Sequence, residues 1–328
     1  MSKKITIIGG GAWGSTLGQI LTDNKNNVLI YEINKEYVEK INNQKHPVFK
    51  KVPLLKIKAT NNLKKAIDFS DTIIVCIPSH KIRNLLKKIN NMIKKPKNFI
   101  NVSKGIENIS QKTIYTVFQE EIEKNKIKNY ASILGPSHAE EVIYRKKTFL
   151  IIASKNPNFA KEIIFLFQNK YLKLDISEDI IGCEICSALK NALSLISGIL
   201  NDNFFDKNAK AAFITMGVKE MKNILIFFRA NPETSISLAG LGDLIVTAFN
   251  INSRNYKAGQ KIRLGEKISK ISKNSNQIIE GINSLKIFAE ISNKNNIHLP
   301  IIKIGFEVVF NNEPIQKITD KMFESINY

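Results

Sequence analysis

Short apolar runs dominate the first half of the chain, and helical spacing dominates the second. Residues 4–8 (KITII), 28–31 (VLIY), 72–77 (TIIVCI), 99–102 (FINV), 131–134 (ASIL) and 148–153 (TFLIIA) are near-continuous apolar stretches. Such runs, alternating with helical or loop segments, predict a parallel sheet covered on both faces. From Asp179 to Phe310 the pattern becomes helical. Its longest piece, residues 181–200 (IGCEICSALKNALSLISGIL), repeats Ile185, Leu189, Leu193, Ile196 and Leu200 at spacings of three and four. Another face carries Cys183, Ser187, Lys190, Asn191, Ser194 and Gly198, with Lys190 its one cation. Such a lysine either lays its stem on the core and snorkels, or sits desolvated at a site where burial moves its pKa toward working pH. The fold class expected is α/β: a Rossmann-like doubly wound sheet in residues 1–180, then an all-helical domain in 181–328. With no tether between them, the two parts should pack closely, and Lys190 should lie at the junction, a frequent place for small-molecule sites.

The first run ends in Gly9, Gly11 and Gly14, a G-x-G-x-x-G between strand and helix. Gly9 permits the tight turn, Gly11 lets a pyrophosphate approach, and Gly14 lets helix and strand pack. The helix N-terminus supplies N–H groups for phosphates. Glu32 stands 18 residues beyond Gly14 at the end of the second run. It is placed to bond the adenosine ribose hydroxyls and to repel a 2′-phosphate. With no basic residue directly after that run, NAD is slightly favoured over NADP, although Lys35 is nearby. Later runs end in Pro78-Ser79-His80, Ser103-Lys104-Gly105 and Gly135-Pro136-Ser137-His138-Ala139. These loops are the natural site walls, with Lys104 and His138 the members that could carry chemistry, although a loop histidine is more often a packing residue. In the helical part, LAGLGDLIVT (238–247) places Asp243 at a helix start, with Gly240 and Gly242 open to close approach. Ser253-Arg254-Asn255 follows. A capping serine, an arginine fork and an amide suit a phosphate, and equally suit a capped surface helix.

The chain has 328 residues, 43% hydrophobic, enough for two ordinary domains. No apolar run reaches membrane-spanning length, and the N-terminus leaves no room for a signal peptide. No integral membrane segment is therefore expected. Cys76, Cys183 and Cys186 have apolar neighbours, and Cys183-x-x-Cys186 lacks a second ligand pair. They read as reduced core residues of a cytoplasmic protein, with no metal. The charge of +20 is spread among Ile and Asn rather than gathered into an arm or finger. It reads as compositional bias, with no nucleic-acid partner expected.

These motifs, in this order, resemble the bacterial-type NAD(P)-dependent sn-glycerol-3-phosphate dehydrogenase family. The matching pieces are GGGAWG (9–14), SKG (103–105), GPSHAEE (135–141) and SALKNALSLISGI (187–199). They continue with NAKAAFITMGVKEM (208–221), LAGLGDLIVTAFNINSRN (238–255) and IIEGINS (278–284). The resemblance implies a dinucleotide site, for NAD or NADP, completed by Trp13, Lys104, Ala139, Arg254, Ile278 and Glu280. It implies a small phosphorylated substrate held by Lys104, Gly135, Ser137, Asp243, Ser253, Arg254 and Asn255, with Lys190 as proton donor and acceptor. Asn191 and Thr247 would be second contacts. The product would feed phospholipid synthesis, and the enzyme could be a homodimer. Two other readings stay open. A 3-hydroxyacid or ketopantoate-type reductase would share the architecture, but its carboxylate substrate needs no phosphate grip. A non-catalytic dinucleotide sensor would use the charge, but has no need of a lysine near Asp243.

Overall fold

The computed structural model describes residues 2–201, 205–274 and 279–324. Eight strands form one sheet: β1 (Lys4–Ile8), β2 (Asn27–Tyr31), β3 (Lys58–Thr60), β4 (Thr72–Val75), β5 (Lys97–Asn101), β6 (Ile127–Leu134), β7 (Thr148–Ala153) and β8 (Leu172–Ser177). Their order is β3-β2-β1-β4-β5-β6-β7-β8. β1 is central, with Ile7 opposite Ile30 of β2 and Ile74 of β4. The apolar runs became the buried strands because both faces are covered, and Ile5, Ile7, Ile30, Ile74 and Ile100 join one core. Burying each such side chain contributes about 1.5–3 kcal/mol.

Two features depart from the sequence expectation. The sheet is not wholly parallel, since β7 runs antiparallel to β6 and β8 runs parallel to β7. The connection from β6 to β7 contains only the helix Ala139–Val142. At about 6 Å, that helix cannot carry the chain back along a strand of about 26 Å, so the chain returns antiparallel. β3 and β8 also lie outside the predicted strands. β8, LKLDIS, alternates buried and exposed positions at the sheet edge instead of forming an apolar run.

The chain divides into two compact units, residues 1–104 with 114–180, and residues 105–113 with 181–328. A single cut after residue 180 therefore misassigns 105–113, whose Ile106 belongs to the second unit's core. That unit is helical throughout its described elements, and its centre is the helix Ile180–Ile199. By length and composition this helix could cross a membrane, but 94% of its apolar window is buried. Its predicted stripe is buried, and so is the opposite face, the mark of a core helix. Gly198 lets the helix Arg254–Arg263 approach backbone to backbone. A Cβ there would lie 2.1 Å from the Tyr256 carbonyl oxygen, and one on Gly259 would lie 2.0 Å from that of Leu195.

Candidate active site

In the first unit the chain leaves β1 through Gly9, whose φ of +109° is open to glycine without strain. A Cβ on Gly14 would stand 1.9 Å from the Gly9 carbonyl oxygen, so helix and turn touch there. Gly11 differs, because a Cβ there would meet nothing within 4 Å. The protein's own packing does not require that glycine, whereas a ligand lying against the main chain would. The helix Ala12–Asp23 begins at Gly11 with no side-chain cap and no acid in its first turn. Its first N–H groups therefore lack the side-chain acceptor that Asn34, Asn62 and Asn156 give to their helices. Open approach, an uncapped helix start and a first turn without an acid fit a dinucleotide pyrophosphate.

Glu32, half-exposed, bridges two segments. One carboxylate oxygen accepts the Gly10 N–H at 2.7 Å, and the other accepts the Asn34 N–H at 2.9 Å. Ser15 Oγ donates to the Gly10 carbonyl at 2.9 Å, so the Gly10 residue is held through both its N–H and its C=O. Trp13 is partly buried and packs on the first core, as does Phe49. Lys104 Nζ and Ser137 Oγ both donate to the Gly135 carbonyl, at 3.0 and 3.1 Å, and Gly135 has a φ of +116°. Lys104, Gly135 and Ser137 therefore form one cluster. Ala139 starts the short helix after His138, whose Nδ1 is 3.8 Å from Glu140.

The second unit builds its site from side chains. Lys190 is 5% exposed and Asp243 1%. Their Nζ–Oδ1 distance is 3.2 Å, and Nζ donates to Thr247 Oγ1 at 2.9 Å. Thr247 Oγ1 donates in turn to the Asp243 carbonyl at 2.6 Å, which turns its lone pairs toward the ammonium. Asp243 opens the helix Asp243–Ala248, directly after a π-helical turn at Leu238–Gly242. Such turns recur at functional sites. Gly240 serves that turn rather than an open approach, since its Cβ would meet the Ser235 carbonyl at 2.2 Å. Ser253 caps Arg254–Arg263 and shares a hydrogen bond with Ser194, which also bonds the Thr247 carbonyl. Asn255 Nδ2 donates to Asn191 Oδ1 at 3.0 Å, and its Oδ1 accepts the Gly281 N–H at 2.9 Å. These bonds join Lys190, Asp243, Thr247 and Ser253 through Ser194, and they join Asn191, Asn255 and Gly281 in a second chain that starts at the residue after Lys190. Arg254 is exposed at the helix start, and Glu280 opens the helix Glu280–Asn295. Ile278 lies outside the described residues.

Sequence reasoning missed His46. Its ring is 2% exposed, and Nδ1 accepts the N–H groups of Val48 and Phe49 at 3.2 and 3.0 Å. Burial pushes its pKa down to about 4, against a smaller opposing pull from the Ala12 carbonyl. Its loop is tied to the Ala12–Asp23 helix through Gln19, which accepts the Leu55 N–H at 2.7 Å. Nothing in the HPVF sequence announces this, because His is not an expected turn-former. Among the described residues, no group of three or more His, Cys, Asp or Glu could hold a metal ion.

Residues 4–160 match the family described as NAD-dependent glycerol-3-phosphate dehydrogenase N-terminus, and residues 179–320 match its C-terminus. A relative named glycerol-3-phosphate dehydrogenase (NAD(P)+), from Phytoplasma mali, is 52% identical over 322 residues, 98% of this chain and 97% of that one. The crystal structure of a glycerol-3-phosphate dehydrogenase from Coxiella burnetii is similar with a TM-score of 0.91 and 25% identity, over 98% of this chain and 99% of the other. A ketopantoate reductase from Ralstonia eutropha shares the fold at a TM-score of 0.62 and 12% identity, over 97% and 99% of the two chains.

Proposed function

This chain belongs to the NAD-dependent glycerol-3-phosphate dehydrogenase family, and on that premise we propose how its residues divide the reaction. The protein is an oxidoreductase that interconverts dihydroxyacetone phosphate and sn-glycerol 3-phosphate by hydride transfer with NAD(P)H. The observation that supports the division of roles is the buried Lys190–Asp243–Thr247 constellation. The reduced nicotinamide, when bound, supplies the hydride for the C2 carbonyl. Lys190 then donates a proton to the oxygen on which negative charge builds, and takes it back in the reverse direction. Such general acid catalysis contributes roughly 10²–10⁴-fold. Asp243 and Thr247 aim the ammonium. Arg254 grips the substrate phosphate from its helix start, so that binding energy remote from the carbonyl orients it. Lys104, anchored on Gly135, adds a second cation for the substrate. Gly9, Gly11, Trp13, Gly14, Ala139, Ile278 and Glu280 serve the coenzyme, with Glu32 at its ribose.

The enzyme works in the cytoplasm, as a homodimer and without a nucleic-acid partner, and its product supplies phospholipid synthesis. Glu32 gives NADH a modest preference of about tenfold in kcat/KM, because its repulsion of a 2′-phosphate is screened by water. A ketopantoate-type activity shares the fold but leaves Arg254 without a phosphate. The test is oxidation of NADH and NADPH with dihydroxyacetone phosphate, dihydroxyacetone and ketopantoate in parallel. Turnover should require the phosphate. Equal reduction of dihydroxyacetone would remove the phosphate grip, and reduction of ketopantoate alone would favour the other reductase.

A further inference from the structure

A groove of about 480 Å³ opens at the amino end of β6, wholly within the first unit. It lies about 23 Å along the eight-residue β6 from the Gly135 loop, at the opposite end of the sheet. Its volume falls in the range of small-molecule sites, roughly 300–1,000 Å³. Phe118 and Ile122 form its floor. Tyr115 and Tyr130 stand with ring centroids 4.9 Å apart, and the Lys155 ammonium lies 5.9 Å from the Tyr115 centroid. Lys124 and Lys128 complete a cationic rim, and no carboxylate is among the lining residues described. Lys126, on the same short helical turn as Lys124, is paired with Glu123 at 2.7 Å. Among the described residues, Lys124, Lys128 and Lys155 have no such partner.

An aromatic face beside cations that no carboxylate among the described residues neutralises suits a planar anion. The open mouth, rimmed by Lys124, Lys128 and Lys155, does not suit an acyl chain. We propose that this groove binds a nucleoside phosphate, its base against Tyr115 and its phosphates on Lys124, Lys128 and Lys155. The nearby amides are already committed. Asn156 Nδ2 donates to Asn129 Oδ1 at 2.6 Å, and Asn129 Nδ2 donates to Asn98 at 2.9 Å. Asn156 Oδ1 also caps the helix Pro157–Phe167. The base is therefore held by stacking, and purines bind without regard to their edges.

Calorimetric titration of ADP, GDP and inorganic pyrophosphate into enzyme saturated with NADH tests this, because the coenzyme keeps them from the glycine turn. ADP and GDP should bind alike, and pyrophosphate at least about tenfold more weakly, the loss expected from one missing stacked base. Tyr115→Ala should weaken ADP by about tenfold or more. Lys155→Gln with Lys128→Gln, both at exposed positions, should weaken ADP and pyrophosphate together while leaving kcat and NADH affinity unchanged. Three results would each overturn the proposal. One is no binding to NADH-saturated enzyme, the second is pyrophosphate binding as tightly as ADP, and the third is ADP binding unaltered in the lysine variant.

Discussion

In the first unit, the groups proposed for the coenzyme are main-chain N–H groups of a glycine turn. In the second, the groups proposed for the substrate are side chains on packed helices. Peptide groups keep one charge distribution at every pH, and their position follows from φ, ψ and the room left by glycine. Here Gly9 and Gly14 shape the turn, and Gly11 leaves its outer side open. Lys190 and Asp243 are instead two ionised groups at 5% and 1% exposure, so each depends on the other's charge and on dryness. A main-chain site is therefore broken by adding an atom, and a side-chain site by removing a charge.

The largest effect should come from removing that charge. Lys190→Ala should lower kcat at least about a hundredfold, the low end for loss of a general acid, while NADH binding persists. It also strands Asp243, so unfolding in urea should show a loss of about 3–5 kcal/mol. Adding Asp243→Asn should restore much of the stability and none of the turnover. Near-normal kcat in Lys190→Ala would remove the lysine from the reaction.

Glycine substitutions probe the other half of the comparison. Gly14→Ala drives a Cβ to 1.9 Å from the Gly9 carbonyl oxygen. Neither group is a flexible side chain, so the expected cost is about 3 kcal/mol, at the upper end for overpacking. Gly11→Ala should change stability by less than about 0.5 kcal/mol, as at an unobstructed surface position. Its coenzyme affinity should nevertheless fall about tenfold, or about 1.4 kcal/mol. Thermal melts with and without NADH separate the two. Unaltered NADH affinity in Gly11→Ala would mean that no pyrophosphate lies against the turn.

The same contrast explains which parts of the fold and of the site are legible in the amino-acid sequence. The glycine turn is legible because its geometry is written in residue type and spacing. The central strands are legible because burial on both faces leaves continuous apolar runs. β8 is not, because an edge strand needs only alternate apolar positions. Residues 105–113 have no period, and only Ile106 ties them to the second core. In the second unit the face carrying Lys190 is legible from helical spacing. The chain Asn191–Asn255–Gly281 is not, since its members are 64 and 26 residues apart. Glu32 is legible by position, but its grip on the Gly10 N–H is not.

That grip alters what a Glu32 substitution should do. Were Glu32 only a ribose partner, Glu32→Ser would improve NADPH. Because each oxygen also holds a main-chain N–H, the substitution loosens the turn that both coenzymes need. Such charged hydrogen bonds are worth about 1.5–3 kcal/mol each, less at this half-exposed position. Dissociation constants for NADH and NADPH should both rise, NADH by about tenfold or more and NADPH by less, so the ratio narrows. A variant that binds NADPH better than the parent does would show the turn to be independent of Glu32.

The smallest effect sharpens the comparison from within the first unit, where one support of the main-chain site does titrate. His46 Nδ1 accepts two N–H groups, from Val48 and Phe49, as Asn34 Oδ1 does for Glu36 and Tyr37. Protonating Nδ1 would replace an acceptor by a donor facing donors, in a buried place. Burial holds the folded-state pKa down, from 6.5 to about 4. The unfolded chain therefore binds the proton first. The contribution is complete above pH 6.5 and is lost as pH falls toward 4. Between pH 7 and 5.5 this amounts to about 1 kcal/mol. Carboxylates elsewhere titrate over the same range, so the informative quantity is the difference between parent and His46→Asn. Asn keeps an acceptor at the same turn and has no proton to gain. Its stability should fall less steeply than the parent's by about 1 kcal/mol over that window in urea unfolding, whatever cavity the smaller side chain leaves. Parallel pH profiles for the two proteins would show that His46 takes its proton as readily in the folded state as in the unfolded one, and that its hold on the turn survives acid.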